Sequence, residues 1–387
     1  MSLPTFTPNT PTFVDEGTST TGWTLTNCTL SQYDATTVQL TQTTLGAQGL
    51  AVQAITMPID GKDWILYAGI TARMATGDVQ IVQIRGTGSA RAHIYLNYNT
   101  VTKAPQLGCV SLRHTSALNS TKNAVCATGL DLENTLLDCR LQFDSKNNQL
   151  SIHFRDANGW KFGGQCVGSF FGAEIGVQVF DAVTSGAWVR WDWLELVAPN
   201  FQSIGDSLCM GATAFNPASG GDGDNQWQRW CQAYPGLRNN AIINKGVGGN
   251  TSAMVAARIQ ADVVDNGPKV VFLGSCNNDR AAGISYAQRS SNIQSSINAI
   301  VAGGAKVVLL NAVYCTASYP GQPGPRDYSE DYWQTEATSL TGVDLFVDVM
   351  QGIDDALGYQ DPALTRSDKI HLTPFGARAY GEYIAAQ

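Results

Sequence analysis

The chain has 387 residues, more than one hydrophobic core usually organises, so its length predicts two domains of roughly 200 residues each. Charged residues make up only 14% of the chain, so the polar surface must be built mainly from Ser, Thr, Asn, Gln and Gly, a composition common in extracellular and virion β-proteins. The formal net charge is −8 and no run of Lys or Arg occurs, which argues against a nucleic-acid partner.

No apolar stretch is long enough to span a membrane, and the first residues lack the regions of a signal peptide. We therefore expect a soluble protein without a membrane span, extracellular or virion-associated. The nine cysteines are odd in number and contain no CxxC pair, so we expect mostly buried, reduced thiols. No cofactor is predicted. No metal is predicted either, because residues 222–225 resemble a calcium loop but lack the remaining ligands.

The first half of the chain has the pattern of half-buried strands. From about residue 20 to 197, polar and apolar residues alternate and β-branched residues are frequent. The clearest hairpin joins residues 139–143 to residues 150–154 through turn-forming residues. Helical periodicity is absent, so residues 1–197 are predicted to form an antiparallel β-sandwich domain. This architecture resembles jelly-roll or lectin-like sandwiches, which implies an accessory or carbohydrate-binding role.

Tryptophans in this half suggest a platform for sugar. The candidates are Trp160, Trp188, Trp191 and Trp193. On a regular strand Val189, Trp191 and Trp193 share one face and Trp188 lies on the other. We expect the first three to be core and keep Trp188 as a candidate surface aromatic.

After residue 199, short apolar runs alternate with helical stretches. The predicted strands cover residues 201–204, 241–244, 269–273, 306–312 and 344–349. The predicted helices cover residues 227–233, 252–264, 286–301, 328–340 and 375–386. This alternation predicts an α/β domain over residues 198–387, with a flavodoxin-like, doubly wound parallel sheet.

Several chemically useful residues follow the predicted strands of this domain. Ser207, Gly249 and Asn278 each follow a predicted strand, and ligand sites in such sheets lie just beyond the carboxyl ends of the strands. A serine nucleophile needs a base and donors for the oxyanion. His371 is the only histidine of this half, and Asp368 precedes it by three positions.

Each of these residues also has a purely structural explanation. Ser207 could cap a helix, and residues 248–249 could serve a tight turn. Asn278 could form a turn, Asp279 could bond within its own loop, and residues 368–371 could lead into the last helix.

Four blocks of sequence nevertheless resemble the SGNH (GDSL-type) hydrolase family in order and context. They are Gly205-Asp206-Ser207, residues 244–251, Asn277-Asn278-Asp279 and residues 368–371. The resemblance covers the C-terminal half. It implies that Ser207 is the nucleophile, that His371 is the base and that Asp368 orients the histidine.

The resemblance also implies an oxyanion hole. Its donors would be the backbone N–H groups of Ser207 and Gly249 and the side-chain amide of Asn278. The third block departs from the family pattern, because three residues separate Gly274 from the Asn-Asp pair, so Asn277 stays an alternative to Asn278.

The family resemblance implies ester hydrolysis. The sandwich, the low charge and the absence of an apolar lid segment favour a carbohydrate O-acetylesterase, with an acetylated polysaccharide or another small ester as substrate. Two alternatives stay open. One is a glycan-binding or virion receptor-binding protein that carries a hydrolase-fold module, and the other is a lysophospholipase or thioesterase.

Overall fold

The structure is a computed structural model. It describes residues 2–59, 61–73, 79–85, 91–97, 109–114, 123–127, 134–146, 149–156, 159–167, 174–180, 186–211, 226–231, 233–234, 237–274, 276–311, 339–349, 363–364, 366 and 371–387. The chain divides into two compact units. Thr10–Ala198 form one, and Met1–Asn9 together with Pro199–Gln387 form the other.

The unit formed by residues 10–198 contains two antiparallel sheets. Its strands in the described part of the chain are β1 (Phe13–Asp15), β2 (Thr24–Thr26), β3 (Cys28–Asp34), β4 (Thr37–Gln42), β5 (Gly49–Ala54), β6 (Trp64–Arg73), β7 (Val79–Arg85), β8 (Arg91–Asn97), β9 (Cys109–His114), β10 (Asn123–Ala127), β11 (Leu137–Asp144), β12 (Gln149–Asp156), β13 (Gly159–Val167), β14 (Glu174–Val179) and β15 (Trp188–Val197). One sheet has the order β13-β12-β11-β6-β15-β4-β3, with β1 paired to β15, and the other has the order β10-β9-β8-β7-β14-β5-β2.

Inward-facing residues of both sheets share one core, so the predicted β-sandwich is confirmed. Leu141 and Phe143 of β11 contribute to it from one sheet, and Ile175 and Val177 of β14 contribute from the other. In the predicted hairpin, Phe143 pairs with Leu150, as the alternation requires. The finer likeness to jelly-roll or lectin-like sandwiches stays a prediction.

A β-bulge in β15 overturns one expectation about the tryptophans. Trp191 pairs with Ile70 and Trp193 with Gly69, so Asp192 is an extra residue without a place in the register. The bulge reverses the alternation after Trp191. Trp191 is therefore fully buried in the core, whereas Trp193 is only partly buried and lies on the opposite face, against Gly69. The expectation that both share the core face is wrong.

Trp188 is not a surface aromatic. The residue is 9% exposed, and the guanidinium carbon of Arg190 lies 3.9 Å from the centre of its ring. The same guanidinium lies 3.3 Å from the centre of the Tyr33 ring, so Arg190 is stacked between two aromatic rings. The Trp160 side chain lies outside the described residues.

The second unit is built on a five-stranded parallel sheet of order β17-β16-β18-β19-β20. The strands are β16 (Phe201–Ile204), β17 (Ile242–Asn244), β18 (Val270–Gly274), β19 (Lys306–Leu310) and β20 (Leu345–Val347). The helices in its described part are α1 (Ser207–Met210), α2 (Ser252–Asp262), α3 (Asn278–Ala281), α4 (Tyr286–Ala302) and α5 (Pro374–Ala385), with 3-10 turns at Trp227–Arg229 and Val264–Asn266.

Helices cover both faces of this sheet. Apolar residues of α2 and α4, among them Ile259 and Ile297, pack with Leu273 on one face. Tyr380 and Ile384 of α5 pack with Phe272 on the other. The predicted doubly wound parallel fold is therefore confirmed.

Two predicted helices differ from the observed structure. The predicted helix 227–233 is a 3-10 turn of three residues in the described part of this segment, Trp227–Arg229. The predicted helix 328–340 lies mostly outside the described residues. No helix in the described part of the chain has the length and apolar character that crossing a membrane requires.

The first residues pack with the second unit, although the sequence analysis placed residues 1–197 in the sandwich. The ring of Phe6 packs edge-on against Phe201 and Tyr234, with centroid distances of 5.2 and 5.1 Å. The backbone N–H of Asn9 donates to the side-chain oxygen of Asn200 at 2.6 Å. These contacts arise because Phe6 finds an apolar partner in the first strand of the parallel sheet.

Candidate active site

Ser207 opens a one-turn helix at the carboxyl end of β16. Asp206 is the N-cap of this helix, and its Oδ1 accepts from the backbone N–H of Leu208 at 3.0 Å. The helix ends at Gly211, whose φ of 73° is the left-handed conformation that glycine adopts readily. Ser207 is thus fixed at the rim of the sheet and remains partly exposed.

His371 is far from Ser207 along the chain but contacts it in the structure. It lies two residues before Thr373, the N-cap of α5, whose side chain accepts from the backbone N–H of Gly376 at 3.1 Å. The Nε2 of His371 lies 2.9 Å from the Oγ of Ser207, although the two residues are 164 positions apart. At this distance the imidazole can accept the hydroxyl proton directly.

Asp368 lies outside the described residues. Its role in orienting His371 stays a prediction.

The loop after β17 passes beside the serine. A methyl group added to Gly248 would lie 3.9 Å from the Cβ of Ser207 and 3.2 Å from the Cε of Met210. The next residue, Gly249, has a φ of 78° and is exposed. Glycine is favoured there because L side chains rarely adopt this conformation.

Three loops meet at the site: the first follows β16 and carries Ser207, the second follows β17 and carries Gly249, and the third follows β18. Asn278 links the third loop to the second. It opens α3, and its Nδ2 donates to the backbone oxygen of Asn250 at 3.0 Å. Asn277 is held differently, since its backbone N–H donates to Oδ2 of Asp206 at 2.8 Å. Both carboxylate oxygens of Asp206 are therefore bonded, one in its own turn and one in the third loop.

Asp279 makes a hydrogen bond outside its own loop, to the start of α2. Its fully buried carboxylate accepts from the backbone N–H of Ser252 at 2.7 Å, at the N-terminus of α2. Its other oxygen lies 3.9 Å from Nε of the buried Arg289. A carboxylate at a helix N-terminus is favourable, so Asp279 fixes the start of α2 relative to the third loop.

Burial shifts the pKa values of several groups near Ser207. It raises the pKa of Asp206, while the N–H groups of Asn277 and Leu208 and the charges of His371 and Arg289 act in the opposite direction.

Burial also raises the pKa of Cys209, to about 12, and raises that of Cys276 well above its usual value. Both buried thiols therefore stay protonated at neutral pH.

Cys28, Cys139, Cys209, Cys231 and Cys276 are free thiols. In the part of the chain that the structure describes, no group of three or more His, Cys, Asp or Glu residues could hold a metal ion. Residues 222–225, considered as a calcium loop, lie outside that part.

Two side chains that the sequence analysis did not single out hold the loops of the site. The Nε2 of Gln228 donates to the Oγ of Ser203 at 2.9 Å and to the backbone oxygen of Cys209 at 2.7 Å, which ties α1 to β16. Arg258 of α2 donates hydrogen bonds to the loop before Ser207 and to the loop after β17. The only sequence signal for Arg258 is its spacing of four residues from Asp262, which usually indicates an ion pair on a helix surface.

Comparisons with known proteins concern the same half of the chain. Residues 203–379 match the model of the GDSL-like Lipase/Acylhydrolase family. A search of the curated proteins gave no match.

Several solved structures are similar to this half. An acetyl xylan esterase from Geobacillus stearothermophilus is 21% identical, with 48% of this chain and 92% of that chain covered and a TM-score of 0.38. A GDSL-like lipase from Bacteroides thetaiotaomicron is 20% identical, with 49% and 87% covered and a TM-score of 0.36. A carbohydrate esterase from the Shiga toxin-encoding bacteriophage phi24B is 11% identical, with 49% and 98% covered and a TM-score of 0.36.

Proposed function

We propose, from the premise that residues 203–379 carry a GDSL-like lipase/acylhydrolase domain, that the protein is a serine carboxylic-ester hydrolase. The observation that carries the proposal is the 2.9 Å contact between Ser207 Oγ and His371 Nε2. A hydroxyl that is partly exposed, opens a helix and is bonded to an imidazole is the arrangement that serine nucleophiles require.

In the first step, Ser207 Oγ attacks the ester carbonyl while His371 takes the hydroxyl proton. The Oγ–carbon bond forms, the bond to the alcohol oxygen breaks, and His371 returns the proton to the departing alcohol. Water then attacks the acyl-enzyme with the same histidine as base, which releases the acid and restores Ser207. In this scheme Asp368 bonds the second ring nitrogen of His371 and stabilises the imidazolium.

The negative charge of each tetrahedral intermediate needs fixed donors. We assign this role to the backbone N–H groups of Ser207 and Gly249 and to the Nδ2 of Asn278. The left-handed conformation of Gly249 and the bond from Asn278 to Asn250 support the assignment, because they tie the second and third loops together beside the serine.

We further propose that the substrate is an O-acetylated polysaccharide. A small acyl group is favoured because the Met210 thioether packs against Gly248, next to Ser207, and occupies space there. The low charge content favours a protein that meets such a polymer outside the cell or on a virion.

The test is hydrolysis of 4-nitrophenyl acetate by the wild-type protein and by Ser207→Ala. We expect turnover by the wild type and its loss in the variant, because only the hydroxyl can form the acyl-enzyme. The matched control is Ser291→Ala, which changes an exposed serine of α4 and should leave turnover unchanged. Equal weak turnover by all three proteins would instead favour a glycan-binding protein without catalysis.

Two further measurements define the substrate. Acetate release from acetylated xylan and other acetylated polysaccharides tests the polymer. A series of 4-nitrophenyl esters tests the acyl group, and turnover that persists or rises beyond butyrate would favour the lysophospholipase or thioesterase alternative.

A further inference from the structure

Arg258 lies between the two loops that meet at the candidate active site. It projects from the middle of α2, a helix fixed to the sheet by buried Val255 and Ile259. Its side chain is only 14% exposed. A charged group with so little exposure to water needs several hydrogen-bond partners, and Arg258 donates four hydrogen bonds.

The four bonds of Arg258 reach two different loops. Its Nη2 donates to the backbone oxygen of Gly205 at 2.9 Å, two residues before Ser207. Its Nε donates to Oδ1 of Asn250 at 2.8 Å, directly after Gly249. Nη1 donates to the backbone oxygen of Lys245 at 2.7 Å, in the same loop as Asn250.

The fourth bond fixes the guanidinium itself. Nη1 also donates to Oδ2 of Asp262 at 2.8 Å, one turn further along α2. The guanidinium of Arg258 is planar and donates in fixed directions. Its hydrogen bonds therefore determine the separation of the two loops more strictly than a single flexible contact would.

Asn250 extends this arrangement to the third loop. Its side chain accepts from Arg258, and its backbone oxygen accepts from Nδ2 of Asn278 at 3.0 Å. One guanidinium therefore links the loops of Ser207 and Gly249 directly and that of Asn278 through a single residue.

We infer that Arg258 is a positioning residue that holds the Ser207 and Gly249 loops at the separation needed to bind the oxyanion. The expected fall in kcat rests on the proposed ester hydrolysis. The expected loosening of the loops without Arg258 can be measured independently of any activity. Arg258 touches no substrate in this role. It acts through the backbone of Gly205 and through Asn250.

The experiment compares the wild type with Arg258→Ala, Arg258→Lys and the control Arg378→Ala. Arg378 is also in a helix and pairs with a carboxylate four residues on, Glu382, but both side chains are 53% exposed. Amide hydrogen exchange is measured for residues 245–250. We expect faster exchange there in Arg258→Ala and no change in the control.

The kinetic readout uses 4-nitrophenyl acetate, with kcat expressed per site titrated by a serine-reactive phosphonate. Misplacement of catalytic groups by an ångström can cost about a hundredfold, so we expect kcat of Arg258→Ala to fall by about that factor, with KM nearly constant. Added guanidinium ion should restore part of kcat. The Arg258→Lys protein should have a kcat only slightly above that of Arg258→Ala, because an ammonium cannot reproduce the planar set of bonds.

The outcomes separate this inference from the proposed function. If the wild type hydrolyses no ester, the proposed function fails, and exchange at residues 245–250 still decides whether Arg258 holds the loop. Unchanged exchange in Arg258→Ala overturns the inference. Faster exchange with wild-type kcat per titrated site also overturns it, because the loops would then be held for stability alone.

Discussion

Gly249→Ala separates the structural role of a loop glycine from its proposed role in catalysis. Gly249 has a φ of 78°, and in the described part of the chain no atom beyond its two chain neighbours lies within 4 Å of a methyl group added to it. The only structural cost is therefore the left-handed backbone, about 1–2 kcal/mol for an L residue. For a domain of this size that corresponds to a fall in Tm of about 2–8 °C.

The expected effect on activity is larger. The methyl group either occupies the open space from which substrate approaches, or the peptide relaxes and its N–H turns away. Both responses weaken the bond between this N–H and the oxyanion. Losing one such donor typically lowers kcat about 100- to 1,000-fold, which is about 2.7–4 kcal/mol of transition-state stabilisation.

The matched control is Gly304→Ala. Gly304 has a φ of 82° and equally open surroundings, but it lies between α4 and β19, at the amino end of the parallel strands, whereas Ser207 lies at their carboxyl end. Thermal unfolding by circular dichroism should show similar losses for both variants. Turnover of 4-nitrophenyl acetate should fall only for Gly249→Ala. A Gly249→Ala protein with wild-type kcat would refute the oxyanion role of this residue.

Three further predictions concern the same site. Asn278→Ala should lower kcat about a hundredfold and Asn277→Ala much less, measured per titrated site, and the reverse order would move the donor to Asn277. The rate should fall as acid protonates His371, since only neutral imidazole can accept the proton of the serine, and a pH profile that stays flat down to pH 4 would contradict this. Met210→Ala should raise the rate on butyrate relative to acetate, because it removes the side chain packed against Gly248, and an unchanged ratio in the ester series would exclude Met210 from the acyl pocket.

Much of the fold was predictable because its signals are local. The hairpin of β11 and β12 follows from alternating side chains around a turn, and the observed register pairs Phe143 with Leu150. The position of Ser207 after a strand was predictable from the short run at residues 201–204, but the helix cap was not, since Asp206 and not Ser207 is the N-cap. Prediction failed at Trp193, because a bulge at Asp192 depends on how neighbouring strands pair.

The sequence by itself determined which segments become strands and which residues follow them, since periodicity, capping and turn chemistry act over a few neighbouring positions. Tertiary structure alone decided the partners: the contact of His371 with Ser207, the bond of Asp279 to Ser252, and the bridge that Arg258 makes between two loops. The physical reason is that the bonds of a buried polar side chain depend on how distant elements are packed and rotated. No short stretch of sequence around Arg258 distinguishes it from an ordinary arginine on a helix surface.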